Sequence, residues 1–103
     1  MKDLSFSPRA EARLGQIVDW TLQEFGLGQS EAYLARLQDH CQKIASGLAH
    51  HQSCRDIFAA GLREDLRFTR IGQHYVVFVE TDRAVLVVDF VHQRMDLAGL
   101  VKR

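Results

Sequence analysis

Cysteine is scarce in this sequence, which has only Cys41 and Cys54. Two cysteines are too few for a disulfide framework, and they do not form the CxxC pair of many zinc and redox motifs. We therefore expect both thiols to be reduced, with Cys41 on a helix and packed in the protein core, and Cys54 in a loop.

An excess of charge of one sign is also missing, because 13 basic residues balance 13 acidic ones. Proteins that bind mainly through phosphate contacts usually carry excess positive charge. The balance therefore argues against a general nucleic-acid binder, although it is compatible with a local basic patch. A net charge near zero favours association, so we expect a protein partner.

Long apolar runs are absent as well. No segment approaches the length that spans a bilayer, and the first residues, MKDLSFSPRA, lack the apolar core of a signal peptide. We expect a cytoplasmic chain without a membrane partner. With 47% apolar and 25% charged residues, the 103 residues are predicted to form one folded domain, 1–103.

The histidines match no metal signature. There are five of them: His40, His50, His51, His74 and His92. Their spacing fits no zinc motif, and His50 and His51 are adjacent in a polar stretch where two imidazoles usually point apart. The sequence therefore predicts neither a metal site nor a cofactor.

Three consecutive strands are predicted within residues 66–91, which are rich in β-branched and aromatic side chains. The pair Gly72-Gln73 suits a tight hairpin, and residues 81–83 suit a looser one. Strands joined by such turns are antiparallel, so the segment is a meander. A three-stranded meander cannot bury its apolar face alone, and other elements must cover it.

Two helices are predicted before the meander, after a short candidate strand at residues 2–6. Ser7 and Pro8 are typical of the start of a helix, and Gly26-Leu27-Gly28 of its end. Ser30 is predicted to start the second helix. Apolar stripes at helical spacing comprise Leu14, Ile17, Val18, Thr21 and Phe25 in the first helix and Leu34, Leu37, Cys41, Ile44 and Leu48 in the second. We therefore predict an α+β fold with an N-terminal strand, a two-helix hairpin and a three-stranded antiparallel meander, the helices packing on one sheet face.

Four segments in this order resemble the ParE branch of the RelE/ParE toxin superfamily: LSFSPRAEARLGQIVDWTLQEFG, CQKIASGL, LRFTRIGQHYVVFV and VDFVHQRMDL. The most specific parts are FSPRA, the segment around Gly72 and His74, and HQRMD. The resemblance covers nearly the whole chain. It implies helices packed against an antiparallel sheet, with the first strand pairing at an edge of the meander.

The resemblance also implies a function. The chain would be the toxin of a type II toxin-antitoxin system and would bind the A subunit of DNA gyrase without acting as an enzyme. A ParD-like antitoxin would neutralise it in a hetero-oligomer and would itself bind the operator DNA, so that this chain contacts DNA only indirectly. The balanced net charge agrees with protein partners.

The alternative function is chemical, because the RelE-like branch cleaves messenger RNA on the ribosome. RNA cleavage needs groups for proton transfer and cations for the phosphate. The chain offers His92 and His74 for proton transfer and Arg63, Arg67, Arg70 and Arg94 for charge, and the candidate catalytic trio is His92, His74 and Arg67. The tail after Arg94 lacks the cluster of basic residues and tyrosine expected of such a nuclease, so the gyrase-type toxin is preferred.

The sequence suggests two binding surfaces. Trp20 and Leu22 lie partly off the apolar stripe of the first helix, and Tyr33 lies beside that of the second. They fit either a wide apolar face with ordinary packing or an exposed groove that receives a partner. The predicted antitoxin surface comprises Trp20, Phe25, Tyr33, Arg63, Arg67 and Arg70. The predicted target surface comprises His92, Arg94, Met95 and Leu97.

Overall fold

A computed structural model of the chain describes residues 2–48, 52–53 and 66–93. The elements in order are β1 (Asp3–Phe6), α1 (Pro8–Phe25), α2 (Leu27–Ala45), β2 (Gln52–Ser53), β3 (Leu66–Ile71), β4 (His74–Glu80) and β5 (Ala84–His92). The predicted order of strand, two helices and three strands is confirmed, and β2 is an additional short strand. None of the described helices is long and apolar enough to cross a membrane.

The strands form one sheet in the order β1-β5-β4-β3-β2. The meander of β3, β4 and β5 is antiparallel, as predicted. β1 does lie beside the meander, but it pairs with β5 in parallel, with Leu4 opposite Val85 and Phe6 opposite Val87. The sheet is therefore mixed and not wholly antiparallel. No tight turn joins β1 to β5, so chain connectivity does not impose an antiparallel pairing.

Ser7 connects α1 to the sheet. Its hydroxyl oxygen accepts a hydrogen bond from the Ala10 amide at 3.0 Å, which makes Ser7 the N-cap, as predicted. The same hydroxyl donates to the Val88 carbonyl at 2.6 Å. Val88 is the extra residue of a β-bulge, because Val77 pairs with Asp89 and Phe78 with Val87. The bulge thus leaves the Val88 carbonyl outside the β4–β5 pairing, and the N-cap residue Ser7 donates a hydrogen bond to it.

The link between the helices is shorter than predicted. Gly26 alone separates α1 from α2, with φ 88° and ψ 175°. α2 therefore begins at Leu27 and not at Ser30. Ser30 lies inside α2, where it is buried and its hydroxyl donates to the Val18 carbonyl of α1 at 3.1 Å. This serine joins the two helices and does not cap the second one.

The helices cover one sheet face, as predicted. The buried cluster between them and the sheet comprises Ala10, Ile17, Leu37, Cys41, Ile44, Ala45, Val76, Phe78, Val85, Val87 and Phe90. Cys41 is fully buried as expected, whereas Cys54 lies outside the described residues. Two stripe positions were wrong, since Phe25 is 59% exposed and Leu48 is 77% exposed. Phe25 is the last residue of α1 and Leu48 follows α2, so both lie where the helices end.

The opposite sheet face also carries buried apolar residues, namely Leu66, Phe68, Val77 and Val91. Successive strand residues face opposite sides, and Val76 and Val77 accordingly belong to different clusters. Burial on both faces explains why β4 and β5 contain almost continuous apolar runs and not alternating ones.

Candidate functional site

Five aromatic rings form a continuous series at one end of the sheet, which we call the ring cluster. In spatial order they are Phe25, Trp20, His92, His74 and Tyr33. Ring centroids are 5.7 Å apart for Phe25 and Trp20 and 6.4 Å apart for Trp20 and His92. They are 5.2 Å apart for the two histidines and 5.6 Å apart for His74 and Tyr33. The cluster thus links both helices to β4 and β5.

The strand register brings the histidines together. His74 begins β4, His92 ends β5, and the two residues are directly paired across the ladder. Opposite residues in a ladder point to the same face. The contacts of His92 with Trp20 on α1 and of His74 with Tyr33 on α2 identify this face as the one that the helices cover.

Two cavities border the ring cluster. The first, of about 360 Å³, is lined by residues that include Arg13, Gln16, Trp20, His74, Phe90 and His92. The second, of about 430 Å³, is lined by residues that include Trp20, Phe25, Tyr33, Arg36, Gly72 and His74. Trp20 and His74 line both, so we treat the two cavities as one groove with aromatic walls and arginines at its margins.

Tyr33 holds the turn between β3 and β4. Its hydroxyl oxygen accepts a hydrogen bond from the Gln73 amide at 3.2 Å and lies 2.6 Å from Nδ1 of His74. The ring passes so close to Gly72 that a Cβ there would stand 2.8 Å from Cε1 and 2.9 Å from the hydroxyl oxygen. Gly72 also has φ +56°, in the region that favours glycine. The predicted turn at this position is confirmed.

Two polar side chains of the ring cluster, His74 and Tyr33, are uncharged near neutral pH. Burial, with a smaller contribution from nearby His92, lowers the pKa of His74 to about 4. Burial also raises the pKa of Tyr33 above its ordinary value, which keeps the phenol protonated. The neutral rings of His74 and Tyr33 favour contact with apolar side chains over the binding of a phosphate.

Arg13 is held at the first cavity by a buried carboxylate. Its Nε lies 3.3 Å from Oδ1 of Asp89, which also accepts a hydrogen bond from the Phe90 amide at 2.8 Å. Burial raises the pKa of Asp89, and the Phe90 amide and Arg13 oppose that shift. This pair was not predicted from the sequence. The available signal was Asp89 itself, the one charged residue in the run AVLVVDFV.

The structure brings three residues of the predicted antitoxin surface together, because Trp20, Phe25 and Tyr33 all line the second cavity. Arg70 lies nearby, with its Nε donating to the Gly72 carbonyl at 3.4 Å and its Nη2 donating to Gln93 Oε1. Packing alone does not account for Trp20, which is 43% exposed.

The remaining arginines of that surface are not part of the ring cluster. Arg67 pairs with Phe78, four residues along β3 from the pairing of Ile71 with His74. At about 3.3 Å per residue, this places the Arg67 backbone about 13 Å from that pair. Arg63 lies outside the described residues.

Of the predicted target surface, only His92 is described, and it lines the first cavity beside Trp20. Arg94, Met95 and Leu97 lie outside the described residues. The candidate catalytic trio is only partly assembled, since His74 and His92 are in contact but Arg67 is remote from them along the sheet. Among the described residues, no three His, Cys, Asp or Glu side chains are grouped to hold a metal ion.

Comparison with known proteins identifies the family. The model of the family described as "ParE toxin of type II toxin-antitoxin system, parDE" matches residues 4–97. The chain belongs to the ParE toxin family. It is 34% identical over 89 residues to Toxin ParE of Escherichia coli, covering 85% of this chain and 82% of that protein. It is 33% identical over 92 residues to Toxin ParE1 of Mycobacterium tuberculosis, covering 88% of this chain and 89% of that protein.

Solved structures share the fold of this ParE-family chain. The chromosomal ParDE toxin-antitoxin system from P. aeruginosa superposes with a TM-score of 0.65 at 12% identity, covering 89% of this chain and 96% of that one. The YoeB dimer from Staphylococcus aureus gives a TM-score of 0.57 at 12% identity, covering 88% and 95%. The α+β fold expected from the resemblance is confirmed, and this chain is the toxin of a type II toxin-antitoxin system.

Proposed function

We propose that this toxin inhibits DNA gyrase by binding its A subunit, and that a ParD-like antitoxin neutralises it by covering the groove. Membership of the ParE family supports both partners. The observation that carries the proposal is the groove itself, in which Trp20 and Phe25 remain 43% and 59% exposed.

The composition of the groove suits a protein partner. Tight interfaces place a few aromatic anchors at the centre and charged side chains at the rim. Here Trp20 and Phe25 form the exposed centre, and Arg13 and Arg36 line the cavities on either side. The uncharged His74 and Tyr33 form the floor between them. Such a surface binds apolar side chains better than it binds a phosphodiester backbone.

The two partners are assigned to the surfaces suggested by the sequence. The antitoxin contacts Trp20, Phe25 and Tyr33 in the groove and extends beyond it to Arg63, Arg67 and Arg70. The gyrase subunit contacts His92, Arg94, Met95 and Leu97. Because Trp20 and His92 are in ring contact, the two surfaces adjoin, and a bound antitoxin would obstruct the target surface. Operator DNA is bound only through the antitoxin. The toxin acts in the cytoplasm, where gyrase is found.

A supercoiling assay with purified gyrase tests the proposal. The purified toxin should inhibit supercoiling of relaxed plasmid, and prior mixing with the product of the adjacent antitoxin gene should restore it. RNA incubated with the toxin and ribosomes should remain intact. Normal supercoiling in the presence of saturating toxin would contradict the gyrase assignment.

A second candidate function is ribonuclease activity, which one observation favours. His74 and His92 lie 5.2 Å apart and line the same cavity as Arg13, so two imidazoles and a cation face one space. Those are residue types that RNA cleavage requires. The low pKa of His74 argues against its use as a general acid at neutral pH. Cleavage of ribosome-bound message with normal supercoiling would favour this candidate.

A further inference from the structure

We propose that His74 and His92 form a two-histidine site for a divalent transition-metal ion of the kind that imidazole prefers, such as Zn²⁺, Ni²⁺ or Cu²⁺. The site goes beyond the proposed function and does not depend on it. Sequence spacing gives no sign of it, because the strand register and not a local motif brings the two residues together.

The geometry of the pair fits a shared ion. The residues are directly opposite in the ladder, their ring centroids are 5.2 Å apart, and the ring planes are inclined by 87°. Consider an ion that lies about 2.0–2.1 Å from one nitrogen of each imidazole. If the nitrogen–metal–nitrogen angle is between about 90° and 109°, the ring centroids are about 5 Å apart. Binding therefore requires rotation of the His92 side chain, with His74 held by Tyr33, and no movement of the strands.

Tyr33 supplies the outer support that metal-binding histidines usually have. With Nδ1 of His74 protonated, this nitrogen donates to the Tyr33 oxygen 2.6 Å away, and the phenol in turn donates to the Ile71 carbonyl at 3.4 Å. Nε2 then keeps its lone pair for the ion. Coordination uses one nitrogen of each ring and leaves the other nitrogen for a hydrogen bond.

The first cavity provides access and room for further ligands. It has a volume of about 360 Å³ and is lined by both histidines. Arg13 faces the same cavity, but its charge is offset by Asp89 at 3.3 Å. With two protein ligands among the described residues, the remaining coordination positions fall to water or to a ligand from a partner. Such an open site binds more weakly than a closed four-ligand structural site.

Calorimetric titration of the untagged, chelator-treated full chain with Zn²⁺ tests the proposal. We expect one Zn²⁺ per chain and a rise in the thermal unfolding midpoint as Zn²⁺ is added, because the ion binds the folded state. His92→Gln and His74→Gln should each weaken binding at least tenfold, and Tyr33→Phe should weaken it about tenfold through loss of the outer hydrogen bond. His40→Gln is the matched control and should bind like the parent, since His40 contacts Thr69 away from the pair.

Imidazole ¹⁵N spectra give a second measurement that does not require a destabilising variant. Zn²⁺ should shift a nitrogen resonance of both His74 and His92 and leave Nδ1 of His74 protonated. The proposal is overturned if no saturable binding occurs at millimolar Zn²⁺, or if the two histidine resonances do not change. It is equally overturned if folded His92→Gln binds as tightly as the parent while His50→Gln/His51→Gln does not bind.

Discussion

Tyr33 and Gly72 illustrate how one pair of residues shapes the groove. The Tyr33 hydroxyl contacts the Gln73 amide and the His74 ring, so a residue of α2 fixes the β3–β4 turn. This approach is possible only because Gly72 has no side chain and adopts φ +56°. The turn, the floor of the groove and the His74 ring therefore depend on the same glycine.

Replacing Gly72 tests that dependence. Gly72→Ala should lower the free energy of unfolding by about 1–3 kcal/mol, because alanine is strained at this φ and its Cβ would collide with the Tyr33 ring. Gly15→Ala is the matched control within α1, where a Cβ meets nothing within 4 Å. It should stabilise the protein by about 0.5–1 kcal/mol. Equal urea midpoints for the two variants would show that the close approach does not matter.

The hydroxyl group of Ser7 joins the start of α1 to the sheet. Ser7 lies between β1 and α1, and its hydroxyl reaches the β-bulge of β5. Since β1 itself pairs with β5, the start of α1 is attached to β5 by both the backbone and a side chain. The first cavity lies between the same helix and the same strand.

Ser7→Ala should therefore destabilise the protein by about 1–3 kcal/mol, because it removes the cap of α1 and leaves the Val88 carbonyl without this donor. Ser46→Ala, at an exposed position after α2, should change stability by less than about 0.5 kcal/mol. Chemical denaturation followed by circular dichroism measures both. A Ser7→Ala midpoint equal to that of Ser46→Ala would contradict the role given to the bulge carbonyl.

Local features were predictable from sequence, whereas pairings between distant segments were not. The Ser7 cap and the Gly72 turn follow from the preferences of neighbouring residues, and both predictions are confirmed. The start of α2 was misplaced because Gly26 and Gly28 are equally good helix breakers in sequence. The parallel pairing of β1 with β5 depends on contacts about 80 residues apart, which no local pattern specifies.

In the groove, too, individual residues were predictable from sequence, but their pairings were not. Trp20 and Tyr33 could be identified because they lie off the narrow apolar stripes, whereas Phe25 was assigned to a stripe. The structure places all three around one cavity. The histidines were identified individually as reactive side chains. Their contact results from the register of β4 and β5, as does the position of Asp89 beneath Arg13. Register is set by the whole sheet, so neither pairing could be derived from spacing.

Across the described part of the molecule, the two exposed aromatic residues, Trp20 and Phe25, both line the groove. Trp20 and Leu22 offer a direct comparison, because both are 43% exposed residues of α1, two positions apart. Trp20 lines both cavities, whereas Leu22 lines neither. The two side chains are equally exposed, but only Trp20 lines the groove. Comparing them therefore distinguishes binding in the groove from a general effect of exposed apolar surface.

Trp20→Ala should weaken binding of the antitoxin about thirtyfold or more, the loss expected for a central aromatic anchor. Leu22→Ala should change affinity by less than about threefold, because a peripheral apolar contact contributes little. Calorimetry or surface plasmon resonance with the adjacent gene product measures both. If the two variants lost affinity equally, the antitoxin would bind elsewhere on α1.

His92 separates the two candidate functions of the molecule. If the toxin acts by binding gyrase, His92→Ala should raise the concentration needed for inhibition by roughly tenfold, and excess toxin should restore full inhibition. If it cleaves RNA, the same variant should lose about a hundredfold or more in rate, and added toxin would restore only part of it. His40→Ala, at a half-buried histidine outside the groove, is the control and should match the parent in both assays. Both candidate functions place His92 at the site. A higher toxin concentration compensates for a lost binding contact but not for a lost proton-transfer group. The dependence of activity on toxin concentration therefore decides between the two functions.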